Sequence, residues 1–97
     1  MLTSKQRAAL RGLANPIDTI LQVGKDGITD NVVAQADQAI AVRELIKGRV
    51  LENALLDPRD AAAEIAEQLG AEVVQVIGSR FVLYRPAKEE KNRKIKL

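Results

Sequence analysis

One short stretch, Val23-Gly24-Lys25-Asp26-Gly27-Ile28-Thr29, constrains the fold of this chain more than any other. An apolar run ends at Val23, two glycines follow, and Thr29 belongs to the residue types that cap helices. Glycine has no Cβ, so it can adopt positive φ and let another backbone approach closely. The stretch therefore predicts a tight turn that joins a strand to a helix.

The same turn has features of a site for a phosphate backbone. The amino end of a helix presents free N–H groups and partial positive charge, and Lys25 adds a full charge. These features predict a phosphate cradle made by Gly24, Lys25, Gly27 and Thr29. The alternative, an ordinary turn whose glycines serve only the backbone, stays open because Asp26 opposes phosphate binding.

Composition narrows the chemistry that the chain can perform. The 97 residues include no cysteine and no histidine, which removes thiolate chemistry, the commonest metal ligand and the usual general base. Without histidine, no serine or threonine has its usual activating partner. We therefore expect no enzyme activity, no cofactor, no metal site and no small-molecule substrate.

Hydropathy and charge predict the cellular compartment of the protein and the class of its binding partner. No apolar run approaches the roughly 20 residues that span a bilayer, and the first residues lack a secretory apolar segment, so we expect a cytoplasmic protein without a membrane partner. The net charge is only +2, but residues 86–97 hold five basic and two acidic side chains, whereas 54–85 hold three and five. This asymmetry favours a polyanionic partner on one side.

Alternating helical and strand periodicities predict seven elements. They are a helix that starts with the capping box Thr3-Ser4-Lys5-Gln6 and stops at Asn15-Pro16, a strand over 17–23, a helix over 30–43, a strand over 44–52, a helix from Asp57-Pro58 to Gly70, and strands over 73–77 and 80–85. The long connection between the first two strands implies a right-handed parallel crossover. The predicted fold is α/β, an αβαβαββ two-layer domain over 1–86 with a mixed four-stranded sheet.

A two-residue turn, Gly78-Ser79, sets the pairing of the last two strands. It places Val76 opposite Phe81 and Val74 opposite Leu83, on a wholly apolar face that we expect under the second and third helices. The other face is mixed in polarity and should be partly covered by the first helix.

Basic residues supply further candidates for contact with a polyanion. On the mixed face these are Lys47, Arg49, Arg80 and the aromatic Tyr84, and on the first helix they are Lys5, Arg7 and Arg11. The alternative is that all of them are solvated surface positions. The segment 87–97 is too charged to bury much, and we expect it to be a mobile tail that either contacts phosphates or only aids solubility.

The order of elements and several local motifs resemble the YhbY-like proteins, which are single copies of the CRM RNA-binding domain. The matching segments are Lys5-Gln6-Arg7, Leu10-Arg11-Gly12-Leu13-Ala14, Val23 to Thr29, Glu44-Leu45-Ile46-Lys47, Val74-Gln75-Val76-Ile77-Gly78 and Val82-Leu83-Tyr84-Arg85-Pro86. The resemblance implies a fold like the C-terminal domain of translation initiation factor three. It also implies RNA contact through the GxxG loop. One departure is Gly48, where the family commonly has a β-branched residue, so we expect looser packing there.

The expected function combines these observations. The resemblance implies a non-catalytic RNA-binding protein whose partner is precursor large-subunit ribosomal RNA within a pre-ribosomal particle, acting in ribosome assembly. With a single exposed aromatic residue expected, binding should read backbone and shape more than bases. The alternative is a protein-binding adaptor that docks on the ribosome through the acidic third helix, which carries Glu64 and Glu67.

Overall fold

The computed structural model describes residues 2–97. In this part of the chain the elements are α1 (Ser4–Ala14), β1 (Thr19–Val23), α2 (Asp30–Arg43), β2 (Leu45–Val50), α3 (Pro58–Leu69), β3 (Glu72–Ile77) and β4 (Arg80–Tyr84), with single 3-10 turns at Glu52–Ala54 and Glu90–Asn92. The predicted αβαβαββ order is confirmed, and the fold is α/β with a mixed four-stranded sheet.

The sheet has the strand order β1-β2-β4-β3. β1 pairs with β2 in parallel, as the crossover through α2 predicts, while β4 runs antiparallel to both β2 and β3. Helices α2 and α3 cover one face of this sheet, and α1 covers part of the other. The sheet therefore fixes the relative positions of the strands, loops and helices that carry the candidate residues.

Local capping explains where the helices begin and end. The Thr3 hydroxyl accepts a hydrogen bond from the Gln6 amide, and the Gln6 side chain accepts one from the Thr3 amide, which confirms the capping box. Asp57 caps α3 with Pro58 at its first position, and Gly70 ends it in the left-handed region. These short-range signals account for helix bounds that match the sequence-based expectation.

Two separate clusters of buried side chains hold the layers together. The larger joins α2 and α3 to the sheet through residues such as Ile40, Ile65 and Leu83. The smaller joins α1 to the other face and contains Leu10, Ala14, Leu45, Val74, Val82 and Tyr84. Since α1 ends at Ala14, the half of this face nearest the β3–β4 turn is left without a covering helix.

A β-bulge in β3 overturns part of the predicted pairing. Val76 does lie opposite Phe81, but the register shifts between Val73 and Gln75, so Val73 rather than Val74 faces Leu83. The extra residue turns Val74 to the α1 side, where it is 3% exposed. The placement of Val74 under α2 and α3 was therefore wrong, because alternation along the strand breaks at the bulge.

The prediction of loose packing at Gly48 is also wrong. Gly48 lies opposite Phe81 in the β2–β4 ladder, and the aromatic ring lies over the glycine. A Cβ at this position would be 2.3 Å from Phe81 Cζ, closer than any real contact. Phe81 thus fills the volume that a β-branched residue would occupy.

The C-terminal segment makes specific contacts with the rest of the domain. The Glu44 carboxylate is 1% exposed, and its oxygens accept hydrogen bonds from the amides of Ala87 (2.9 Å), Lys94 (2.6 Å) and Ile95 (3.1 Å). Ile95 packs against the smaller core cluster. The segment therefore folds back on the domain, because a buried acid supplies acceptors for its backbone.

Candidate nucleic-acid interface

Strand directions bring three loops to one edge of the sheet. β1 and β2 both end at this edge, and β4 begins there, because β1 and β2 are parallel and β4 runs against them. The Leu51 amide donates to the Val23 carbonyl (2.9 Å), and the Val50 amide donates to the Ser79 carbonyl (2.8 Å). We call this edge, formed by residues 24–29, 51–56 and 78–80, the loop edge.

The glycine loop is a closed turn at this edge. The Gly27 amide donates to the Gly24 carbonyl (2.9 Å), and Gly27 has a φ of 75°, in the left-handed region that favours glycine. Gly24 has no positive φ. Lys25 and Asp26 at the tip are exposed. The turn thus presents Lys25 to solvent, and only Gly27 needs to be glycine for conformational reasons.

Thr29 has a positioning role at the start of α2. Its hydroxyl accepts a hydrogen bond from the Val32 amide (3.2 Å), so it caps the helix as predicted. The amides of the first turn remain directed toward the glycine loop side of the helix. Asp30 lies in that turn, and together with Asp26 it outweighs the charge of Lys25. Lys25 alone therefore leaves the loop without net positive charge, and further cations must come from the sheet.

Three cations lie on the uncovered half of the α1 face. Arg49 on β2 is directly opposite Arg80 on β4, both are exposed, and Lys47 lies half-buried two residues from Arg49. On the other side Arg49 pairs with Gln22, two residues before Gly24. We call Lys47, Arg49 and Arg80 the basic shelf. Adjacent strands lie about 4.8 Å apart, so the shelf continues into the glycine loop.

The shelf is not neutralised by the protein itself. Within residues 2–97, neither Arg49 nor Arg80 takes part in an ion pair or a side-chain hydrogen bond. Like charges directly opposite each other on neighbouring strands are destabilising. An anion bound between the two guanidinium groups would remove this repulsion, which makes the shelf suited to a phosphate.

The structure removes Tyr84 from the candidate contacts. It lies opposite Leu45 at the far end of β4, roughly 14 Å from Arg80 along the strand, and is 7% exposed beneath α1. Burial, and to a smaller degree the nearby Glu44 carboxylate, raise the pKa of the Tyr84 hydroxyl above its ordinary value. The prediction of an exposed aromatic was wrong because the bulge and α1 together close this part of the face.

The basic residues of α1 do not converge on the loop edge. Arg7 is half-buried and its guanidinium donates to the Val73 carbonyl at the bulge, so it holds the strand. Lys5 lies beside Lys96 at the amino end of the helix, about 15 Å from its other end. Arg11 is exposed in the last turn, the end of α1 that approaches the shelf.

Two residues that the sequence did not single out lie beside the shelf. Asn15, which ends α1, and Gln75 on β3 line a cleft of about 140 Å³ together with Lys47 and Arg80. Asn15 was interpreted only as a helix stop. Gln75 could have been found as the polar residue that interrupts an otherwise apolar strand, but its neighbours on α1 are visible only in the tertiary structure.

Among residues 2–97, no group of three or more potential ligand side chains is arranged to hold a metal ion. None of the helices described there is long and apolar enough to cross a membrane.

The fold and its uncovered basic edge define a class of small α/β domain, and comparison with known proteins identifies the family. The sequence model of the CRS1 / YhbY (CRM) domain matches residues 2–85. The chain belongs to this family.

Individual relatives cover nearly the whole chain. It is 43% identical to "Probable RNA-binding protein YqeI" of Bacillus subtilis, over 94% of this chain and 95% of that protein. It is 34% identical to an "RNA-binding protein" of Haemophilus influenzae, over 93% and 91% of the two chains. The solution structure of the hypothetical protein SAV1595 from Staphylococcus aureus is similar with a TM-score of 0.81 and 46% identity, covering 99% of this chain and 100% of that one.

Proposed function

We propose that this protein binds structured RNA without catalysis and holds the sugar-phosphate backbone at the loop edge. The observation that carries the proposal is the pair Arg49 and Arg80, which face each other across two strands with no acidic partner among residues 2–97. The names of the bacterial relatives, which describe RNA-binding proteins, support the same conclusion.

The proposed mechanism divides the work between the loop and the shelf. The closed turn directs Lys25 and the first amides of α2 toward one phosphate, while the basic shelf holds neighbouring phosphates. Contacts of this kind fix the position and orientation of the RNA, and they carry little sequence information. Since binding releases counterions, the affinity should fall steeply as salt rises.

We further propose precursor large-subunit ribosomal RNA as the partner, in the cytoplasm and within a pre-ribosomal particle. Membership of the CRM family supports this partner, because the resemblance to the YhbY-like proteins implies an association with that precursor. The protein would then act as an assembly factor that stabilises one arrangement of the RNA rather than changing it chemically.

A protein-binding adaptor is the second candidate function. Glu64 and Glu67 are exposed on α3 and, with Asp60, form an acidic surface on the side of the sheet away from the shelf. If this surface is the functional one, neutralising Glu64 and Glu67 should abolish particle binding. RNA affinity that is unchanged by Glu64→Gln and Glu67→Gln would support the RNA-binding function instead.

Charge removal at the shelf tests the RNA site. Arg49→Ala, Arg80→Ala and Lys25→Ala should each weaken binding of a large-subunit precursor transcript by about ten- to a hundredfold, since a charge-assisted hydrogen bond contributes about 1.5–3 kcal/mol. Each should also lower the slope of log affinity against log salt by about one. Binding is measured by fluorescence anisotropy between low and moderate salt.

The matched control is Arg43→Ala. Arg43 is also exposed, but it lies at the last turn of α2, about 20 Å along the helix from Thr29. The Arg43→Ala substitution removes the same charge from the molecule and leaves the loop edge unchanged. Equal losses for Arg43→Ala and Arg80→Ala would show that binding follows net charge, and the proposed site would be wrong.

A further inference from the structure

The cleft between the end of α1 and the β3–β4 hairpin is chemically different from the shelf beside it. Its floor is apolar, formed by Ala14 and Val82, which are 2% and 4% exposed. Its polar lining consists of the amide side chains of Asn15 and Gln75, with the cations Lys47 and Arg80. Apolar walls with a few convergent polar groups are typical of a site for a small flat ligand.

The polar groups of the cleft are available to a ligand. Within residues 2–97, the side chains of Asn15, Gln75 and Lys47 make no hydrogen bond or ion pair. Each carboxamide offers both a donor and an acceptor, and Lys47 offers donors only. This set matches a molecule whose edge alternates carbonyl oxygens with N–H groups, as the edge of a nucleobase does.

The local field favours a neutral group over a phosphate inside the cleft. The wall formed by Ala14 and Asn15 is the carboxyl end of α1, which carries partial negative charge. Phosphate is therefore better placed outside, on the exposed guanidinium of Arg80, while a base with its own N–H group is suited to the interior.

The size of the cleft limits the base. Its volume of about 140 Å³ is close to that of a cavity of about 150 Å³ that holds a benzene ring. A six-membered ring can lie wholly on the apolar floor of the cleft, whereas the second ring of a purine would extend toward its open side, away from Ala14 and Val82.

From these observations we propose that the cleft binds one unpaired pyrimidine base of the RNA. Asn15 and Gln75 pair with the edge of the base, Lys47 donates to a ring carbonyl, and Ala14 and Val82 contact the ring. Arg80 binds the adjoining phosphate, so the base enters beside the backbone that the shelf holds. This inference rests on the proposed RNA-binding function and adds to it a site that selects for an unpaired pyrimidine.

Hairpin RNAs that differ at one bulged position test the proposal. Four probes share the same stem and carry a bulged uridine, a bulged adenosine, a bulged abasic residue or no bulge. The full chain should bind the uridine bulge about tenfold more tightly than the abasic bulge, with the adenosine bulge near the abasic value. The abasic probe has the same break in the stem, so the difference measures the base alone.

Substitutions in the cleft should remove the preference without removing binding. Gln75→Ala and Asn15→Ala should bind the uridine and abasic probes equally, while their affinity and salt slope for the unbulged stem stay those of the unsubstituted chain. Gln22→Ala is the control, because Gln22 is an exposed amide beside Arg49 that does not line the cleft. Asn15 lies outside every strand, so its variant serves if Gln75→Ala fails to fold.

The outcomes separate the cleft from the shelf. If the unsubstituted chain shows no preference for uridine over the abasic residue, or if the preference survives both Asn15→Ala and Gln75→Ala, the base site is wrong while backbone binding stands. If Arg49→Ala and Arg80→Ala leave affinity for the unbulged stem unchanged, the proposed RNA-binding function itself fails.

Discussion

Gly24 and Gly27 occupy equivalent places in the loop motif, but their backbones impose different demands. Gly27 has a φ of 75°, whereas Gly24 lies outside the positive region, and a Cβ at Gly24 would make an ordinary contact with Leu51 at 3.8 Å. The conformation of the loop thus requires glycine at position 27, whereas position 24 can hold a small side chain. In the proposed RNA site, the missing side chain of Gly24 would give the RNA backbone close access to the loop.

Alanine substitutions distinguish the two positions. Gly27→Ala should lower the free energy of unfolding by about 1–2 kcal/mol, because an L-residue is strained in the left-handed region. Gly24→Ala should leave stability within about 0.5 kcal/mol. Urea unfolding of both variants gives the comparison. Similar losses for the two would mean that the turn does not have the conformation described here.

At the scale of paired elements, β2 and β4 depend on one interlocked pair. Phe81 lies over Gly48, and both residues belong to the face that α2 and α3 cover. An aromatic side chain that covers a glycine on the neighbouring strand recovers the burial that the glycine cannot supply. The size of the side chain at one of these positions therefore limits the size of the side chain that the other can hold.

The pair predicts a non-additive response to mutation. Gly48→Val should destabilise the domain by about 1–3 kcal/mol, since its side chain would overlap the Phe81 ring. Phe81→Val alone should cost a similar amount by leaving a cavity. The double variant should lose less than the sum of the two, as measured by a double-mutant cycle in urea. Additive losses would show that the two positions pack independently.

Across the whole molecule, Glu44 connects the chain's middle to its end. It follows α2 directly, has a φ of 67°, and its carboxylate binds three amides of the segment after Pro86. Burial alone would raise the pKa of Glu44, but the three N–H donors and the charge of Arg93 together outweigh burial and lower it. The ionised carboxylate is therefore the form that holds the C-terminal segment in place.

Acid should release this segment. Because the Glu44 pKa is lower in the folded state than in the unfolded one, its contribution to stability is complete above the unfolded value of about 4.5 and is lost as the pH falls through the folded value. Unfolding free energy measured from about pH 6 to pH 3 should fall more steeply in the unsubstituted chain than in Glu44→Gln.

Glu67→Gln is the control for the acid experiment. Glu67 is exposed on α3, so its variant should follow the pH dependence of the unsubstituted chain. The protection factors of the Lys94 and Ile95 amides, taken relative to the intrinsic exchange rate at each pH, should fall over the same pH range. Protection factors at these two amides that do not change with acid would show that Glu44 does not hold the segment.

Much of the fold could be predicted from short-range signals. Thr3, Thr29 and Asp57 cap their helices, and Gly70 ends α3, because each acts on backbone groups within a few residues of itself. The turn Gly78-Ser79 likewise sets the first pairs of the β3–β4 ladder. Prediction failed at Val74 and Tyr84, where a bulge and a distant helix decide which way a side chain faces.

The candidate site was predictable in its loop and less so in its sheet. The GxxG turn, Lys25 and the cap at Thr29 are adjacent in sequence, so their proximity needed no tertiary information. Arg49 and Arg80 could be placed on one face by alternation, but their lack of acidic partners among the described residues could not. The sequence also could not show that the Arg7 guanidinium, a candidate for the basic surface, donates its hydrogen bond to the Val73 carbonyl instead.

By itself, the sequence determined the order of the elements, the parallel crossover, the helix bounds and the glycine turn, because these follow from interactions between residues near one another in the chain. Only the tertiary structure decided that Tyr84 is buried, that the C-terminal segment docks on Glu44, and that Asn15 and Gln75 line one cleft beside the shelf. These outcomes depend on contacts between segments tens of residues apart, and local propensities carry no information about which of those segments meet.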